Sequence, residues 1–270
     1  MRVLIDKLEE KMKGSAVDGV IKRLFAGQVR SFIKCLNVQY ESNREEEFYD
    51  IQLDVKGCKN IYDSFRRYIA KEVLDGDNKY DAGDEYGKQD AEKGVVFTSF
   101  PPVLTIHLKR FDFDIQRMGF AKIHDRFEFP HRLELDEFLA ANAAPESPST
   151  ANESPSTANE SHSTANSYIL HSVLVHEGGV NGGHYYAYIR PATDTSSTNS
   201  QQQQPRCGST HSTHLSEHDT QWSHAHWFEF NDEIVRCSTA TEAIERCFGR
   251  ESNPHTPYVL EAKVKLNNFI

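Results

Sequence analysis

His184 stands directly after Gly182 and Gly183, at the head of the run GGHYYAYIRP (182–191). Glycines at that point free the backbone and leave room for another chain to approach. A histidine at the start of a strand is rigidly aimed, which is what a general base needs. Further on, Asn231 and Asp232 follow the apolar residues Trp227, Phe228 and Phe230. Asn231 opens a turn there. An amide or carboxylate on a neighbouring strand can accept the second N–H of an imidazole. That contact fixes the tautomer and the ring orientation, as the third member of a Cys-His-Asn arrangement does. A lone histidine beside glycines is more often structural and a lone Asn-Asp pair is usually a turn; the chemistry that the two together could serve is thiol-based acyl transfer, with His184 as base and Asn231 as its orienting partner.

A thiol would have to supply the nucleophile. The chain has five cysteines, Cys35, Cys58, Cys207, Cys237 and Cys247. The number is odd and no two form a CxxC pair, which argues against a disulfide framework and against a zinc ribbon. A reduced, intracellular setting is the expectation. The histidines at 211, 214, 218, 224 and 226 have a spacing that could chelate a metal, but they fall in a low-complexity stretch. No metal and no cofactor is expected.

The elements that must carry His184 and Asn231 can be read from periodicity. Strands are expected at 29–40, 48–55, 101–114, 167–178, 182–191, 226–237 and 258–266. The strongest signal is PPVLTIHLKRFDFD (101–114), whose β-branched and aromatic residues suggest a buried central strand. The run YVLEAKVKL (258–266) alternates and is expected to close the sheet. Val3, Leu4, Leu8 and Met12 recur at helical spacing ahead of Gly14, and helices are also expected at 17–25 and 60–74. TATEAIERCFG (239–249) opens on a Thr-x-x-Glu capping box and ends on glycine, so it reads as a short helix. Helices and strands are interspersed without a steady alternation, which points to an α+β fold.

Two stretches interrupt this order. Residues 143–166 contain ESPSTAN, ESPSTAN and ESHSTAN in tandem, and 192–221 contains four consecutive glutamines among Ser, Thr and His. Such compositions cannot bury a core, and both read as disordered insertions. Loop closure entropy grows slowly with length, so a fold can accept them.

Composition sets outer limits. With 270 residues, 38% of them hydrophobic, including 16 Phe and 11 Tyr, the chain can bury a sizeable core. The formal net charge of -10 makes nucleic acid an unsuitable partner and favours a basic protein surface. No apolar run reaches the roughly 20 residues needed to span a bilayer, so no membrane association is expected. The N-terminus MRVLIDKLEEKMKG is amphipathic and opens inside a helical pattern without a cap, as in a fragment or a late start.

Six segments, taken in order, resemble the successive boxes of the ubiquitin-specific protease family. They are LFAGQVRSFIKC (24–35), VKGCKNIYDSF (55–65), LTIHLKRF (104–111), RFEFP (126–130), GGHYYAYI (182–189) and FNDEIV (230–235). The resemblance covers about 1–140, 167–191 and 226–266. It implies a papain-like cysteine protease hand of thumb, palm and fingers that binds ubiquitin and ubiquitinated proteins. On that reading 1–100 is a helical start and fingers, while 101–140, 167–191 and 226–266 form the palm. The family's general base falls on His184, its orienting residue on Asn231, and an assisting acid on Asp232. Loops at 112–122 and 177–183 match the two that fold over the ubiquitin tail. Tail contacts are implied for Phe111 and Tyr185, and for Asp6 and Glu9, which lie three apart on one helix face. A nuclear or cytoplasmic location goes with this assignment.

The departures are equally specific. The family nucleophile lies in a box near Asn-x-Gly-x-Thr-Cys, and none of the five cysteines stands in one. Cys35 matches a fingers position, Cys58 a turn, Cys207 an insertion, and Cys237 and Cys247 flank a short helix. The expectation is a palm and fingers module without its thumb, inactive by itself. The alternative is a non-catalytic ubiquitin-binding pseudoenzyme or truncated isoform. The two CxxC pairs that hold zinc in many members are absent from the sequence.

Overall fold

The computed structural model describes residues 2–116, 118–140, 166–191, 227–249 and 256–264. Cys207, the histidine group at 211–226 and both insertions, Asn166 excepted, lie outside the described residues.

The chain begins with helices α1 (Arg2–Met12) and α2 (Val20–Phe25). Strands β1 (Gly27–Cys35), β2 (Glu41–Phe48) and β3 (Ile51–Asp54) follow, then α3 (Ile61–Tyr68). Next come β4 (Glu72–Leu74), the short pair β5 (Tyr80–Asp81) and β6 (Lys88–Gln89), and β7 (Ala91–Ser99). After them stand β8 (Val103–Lys109), β9 (Phe111–Asp114), β10 (Gly119–Lys122) and β11 (Arg132–Glu134). The last stretch holds β12 (Ser167–Gly179), β13 (Gly182–Ile189), β14 (Trp227–Asn231), β15 (Ile234–Ser238), α4 (Ala240–Ala243) and β16 (Thr256–Val264). The mixture of helices with largely antiparallel strands is the expected α+β fold.

Two sheets organise these strands. The smaller has the order β2-β1-β7-β4. The larger runs β15-β14-β13-β12-β16-β8-β3, with β11 added beside β12. Within it only β3 and β8 pair in parallel; the other ladders are antiparallel. The main core gathers Phe65 of α3, Phe97 of β7, Leu104 and Leu108 of β8, Phe127 and Trp227. Ring packing binds it, with Phe65 stacked on Phe138 at 5.0 Å and Phe97 against Phe100 at 4.7 Å. Asn60 caps α3 by accepting the Asp63 N–H at 2.9 Å, and Ser64 Oγ donates to the Asp54 carbonyl.

Several expectations need correction. The segment 226–237 is not one strand but the hairpin β14–β15, closed by the Asn231↔Ile234 pair. Asp232 takes φ 51, a left-handed conformation that Asp tolerates better than most residues. The single strand expected at 101–114 breaks at Arg110 into β8 and β9. Strand β1 stops at Cys35, because the chain turns back through 36–39 and Cys35 N donates to Tyr40 O at 3.0 Å. The helix expected to reach 74 ends at Tyr68, and Glu72–Leu74 joins the sheet beside β7. Strand β16 does not close the sheet; it lies inside it, between β12 and β8. Of the apolar residues on α1, Ile5 is buried, whereas Val3, Leu4 and Leu8 are exposed among the described residues.

Candidate active site

Three strands place the chemistry. In β12 and β13 the register sets Glu177 opposite His184 and His176 opposite Tyr185. Strand β14 pairs Phe230 with Ala187, so the β14–β15 turn reaches the end of β13 that carries His184. The result is a His184 Nε2 to Asn231 Oδ1 contact of 2.6 Å. An amide oxygen accepts only, so Nε2 carries the hydrogen and Nδ1 keeps its lone pair. The Asn231 amide is itself oriented, because its Nδ2 donates to Glu229 Oε1 at 3.4 Å. Asp232 lies farther off, 3.8 Å from His184 Nε2, and its side chain is 76% exposed. It is a reserve acceptor rather than the primary one. The imidazole lies nearly parallel to the Tyr186 ring, at 20° and 6.5 Å. The arrangement can hold one imidazole tautomer and present a basic Nδ1, which is the orienting half of a nucleophile-base system.

One residue along the strand from His184, Tyr185 enters a ring cluster. His176 and Tyr185 lie 4.5 Å apart, His176 and Phe111 5.4 Å, and Tyr258 sits 5.7 Å from Tyr185 and 5.9 Å from Phe111. Phe111 and Tyr185, singled out in the sequence, are thus gathered in one cluster through His176 and Tyr258, with Tyr185 adjoining His184 in the chain. His176, Tyr258 and Glu229 were not anticipated: His176 is set opposite Tyr185 by register, Tyr258 comes from the last strand, and Glu229 reaches Asn231 from two residues back on β14. Burial, with the nearby charge of Lys122 as a second cause, lowers the His176 pKa.

Asp6 and Glu9 are engaged elsewhere. Asp6 Oδ1 pairs with Arg2 Nε at 2.9 Å within α1. Glu9 Oε1 accepts from the Tyr49 hydroxyl at 2.9 Å, and the Arg2 guanidinium lies 4.2 Å over the Tyr49 ring. These contacts stay on α1 and Tyr49 and do not reach the ring cluster. Burial, followed by the Glu9 carboxylate, pushes the Tyr49 hydroxyl pKa up to about 12. Among the described residues no group of three or more His, Cys, Asp or Glu side chains could hold a metal ion.

Gly183 is required for a steric reason. A Cβ at that position would collide with the Glu177 carbonyl and the His176 ring. The histidine ring occupies the space a side chain would fill. Gly183→Ala is therefore expected to destabilise the chain by roughly 1–3 kcal/mol through overpacking. It should also disturb the adjacent His184–Asn231 bond. The denaturation midpoint and the ¹⁵N shifts of the His184 imidazole check both effects. A variant with unchanged midpoint and shifts would show that the strand end yields freely.

An imidazole held by an amide oxygen on an α+β scaffold is an arrangement that a thiol protease can use. Comparison with known proteins agrees: residues 1–261 match the family described as ubiquitin carboxyl-terminal hydrolase. The chain belongs to that family of cysteine peptidases, whose fold is papain-like. It is 44% identical over 250 residues to ubiquitin C-terminal hydrolase 13 of Arabidopsis thaliana, covering 93% of this chain and 18% of that protein. It is 43% identical over 249 residues to ubiquitin carboxyl-terminal hydrolase 7 of Drosophila melanogaster, covering 92% and 18%. Ubiquitin carboxyl-terminal hydrolase 15 of Saccharomyces cerevisiae is 35% identical over 269 residues, covering 100% and 19%. The chain therefore spans about a fifth of the length of the relatives it matches.

Proposed function

We propose that this chain is the histidine-bearing palm and fingers portion of a deubiquitinase, acting on the bond at the C-terminus of ubiquitin. The 2.6 Å His184–Asn231 contact carries this reading, because it fixes the tautomer that general-base work at Nδ1 requires. The larger sheet corresponds to the palm and the four-stranded sheet to the fingers. Ubiquitin and ubiquitinated proteins are the partners. Nucleic acid is not one, given the net charge of -10. A nuclear or cytoplasmic location goes with this partner set. Within the family we place the chain nearest the herpesvirus-associated ubiquitin-specific protease, on FYDIQL (48–53), LDGDNKYDAG (74–83) and IHDRFEFP (123–130).

The thiol comes from a box that the 270 residues do not contain. In the complete site, His184 Nδ1 takes the thiol proton and the thiolate adds to the terminal carbonyl carbon of ubiquitin. The tetrahedral species then expels the amine, which receives its proton from His184, leaving a thioester. Water, deprotonated by the same imidazole, hydrolyses that thioester and frees the thiol. Asn231 keeps the ring in place throughout, while Phe111 and Tyr185 line the approach to His184.

By itself, the chain is expected to bind ubiquitin without cleaving it. Incubation with a fluorogenic ubiquitin C-terminal amide should give no turnover, while a titration with ubiquitin should saturate. Turnover abolished by mutating one of the five cysteines would overturn the assignment of an absent nucleophile. The absence of a nucleophile box from these residues also favours a second reading, a ubiquitin-binding module without catalysis. Joining a nucleophile-bearing segment separates the two, since a binding module would remain inactive.

A further inference from the structure

Strands β9 and β10 form a two-stranded sheet of their own, apart from both larger sheets. They project Phe113, Ile115, Met118 and Phe120, all exposed. At its base the hairpin closes on itself, Ile123 N donating to Arg110 O at 2.6 Å. Phe111 packs against His176 and Tyr258, and Lys56 Nζ donates to Asp112 Oδ2 at 3.1 Å. A further tie is the side chain at the end of β10. Lys122 Nζ donates to His176 O at 2.9 Å and to Gly178 O at 2.8 Å.

Those two carbonyls flank Glu177, the residue paired with His184 across the β12–β13 ladder. Gly178 is at φ 108, a conformation open to glycine, and a Cβ there would meet Gly182 O and Gly183 Cα at 2.8 Å. The end of the ladder is thus a tight, glycine-built turn: the Lys122 ammonium bridges its two outer carbonyls, and the His176 carbonyl also accepts from the Thr256 hydroxyl at 3.3 Å. Charge-assisted bonds of this kind are roughly twice as strong as neutral ones. Burial first, then the Arg110 charge, bring the Lys122 pKa down to about 8, with Glu177 acting in the opposite sense. The group is still cationic at neutral pH, and it is held among protein atoms rather than in water.

We propose that Lys122 is a positioning residue that locks the 111–122 hairpin to the β12–β13 turn and so fixes the strand end from which His184 meets Asn231. This deepens the proposed function, on which it rests for its catalytic meaning. The hairpin and the base then move as one unit, and anything seated under the hairpin is registered against the imidazole.

The test uses the chain itself with Lys122→Gln and Lys122→Arg. Native-state amide exchange is measured across 176–178 and 183–185, together with ¹⁵N shifts of His184, assigned by comparison with His184→Ala. Lys122→Gln is expected to speed exchange in these two segments by about tenfold or more. It should also shift the His184 nitrogens toward mixed tautomers, at a nearly constant denaturation midpoint. Lys122→Arg, still a cationic multiple donor, should restore most of the protection. Unchanged exchange and shifts in Lys122→Gln would overturn the proposal. So would uniformly faster exchange across the whole chain with a lowered midpoint, which would make Lys122 a general core cation. A ubiquitin titration on the same proteins separates the two claims. If the unmutated chain fails to bind ubiquitin, the functional reading falls, and exchange alone decides the latch.

Discussion

His184→Ala, in the chain joined to a nucleophile-bearing segment, is expected to lose roughly two to four orders of magnitude in turnover, the usual contribution of a general base. Melting temperature should change little, because the imidazole is partly exposed, and on the proposed function ubiquitin affinity should change little as well. Asn231→Ala should cost less. Asn231 transfers no proton; it holds Nε2–H at 2.6 Å, and Asp232 waits at 3.8 Å as a substitute acceptor. The double variant Asn231→Ala/Asp232→Ala should therefore lose more than the two single losses combined, the mark of residues that replace one another. Turnover, affinity and melting temperature measured on one set of proteins decide the matter. Full activity in His184→Ala, or a larger loss in Asn231→Ala, would overturn the assignment of roles. Parallel losses of stability and binding would make His184 structural.

The same residues show why the site was partly legible in the sequence. Gly182-Gly183-His184 and Asn231-Asp232 are local signals, since glycine flexibility and turn preference act over two or three residues. Their meeting depends on the β13–β14 ladder, which is a long-range fact with 35 residues outside the described set between the strands. The ordered family boxes bridged that gap where periodicity could not. His176 and Tyr258 had no such bridge. One sits opposite Tyr185 by register and the other arrives from the last strand, so no window of sequence contains them both with Phe111.

The fold divides in the same way. Alternation revealed β1 and β3, and the β-branched and aromatic content of a buried strand revealed β8. Strand β2, ESNREEEF, carries no apolar alternation and is largely exposed, so it had no signature. It exists because β1 offers it a ladder, in which Arg30 pairs with Glu45 and Ser31 with Arg44. The short strand at 72–74 is a similar case: tertiary pairing with β7 ends a segment whose spacing alone favours continued helix. The capping box at Thr239 and Glu242 is formed as read, since both of its bonds are local.

Arg110 is where the sequence pattern was least informative about role and where the largest stability effect is expected. It lies between β8 and β9 and is 0% exposed. Its guanidinium donates Nε to Pro257 O at 3.0 Å, Nη1 to Ile123 O at 3.0 Å and to Asp125 O at 2.9 Å, and Nη2 to Phe248 O at 3.3 Å. Four carbonyls from three chain segments thus converge on one planar cation, a geometry that lysine cannot reproduce. One of them belongs to a proline inside β16, where the ladder shifts register between Leu174 and Val175. Burial lowers the Arg110 pKa to about 10, with Asp125 opposing, so the group is charged at neutral pH. Arg110→Met removes the charge and takes a donor from each carbonyl; Phe248 O keeps the Phe127 N–H at 2.8 Å, while a buried carbonyl left without any donor costs about 1–3 kcal/mol. A total loss of about 3–5 kcal/mol is expected, a large part of the stability of a typical domain. Arg110→Lys should lose less, since a point charge satisfies some of the acceptors. Urea denaturation at pH 7 reads the effect as a lowered midpoint with an unchanged slope. An Arg110→Met protein as stable as the parent would show that water takes over the carbonyls, and that the hairpin, β16 and the segment ending at Phe248 are held by packing alone.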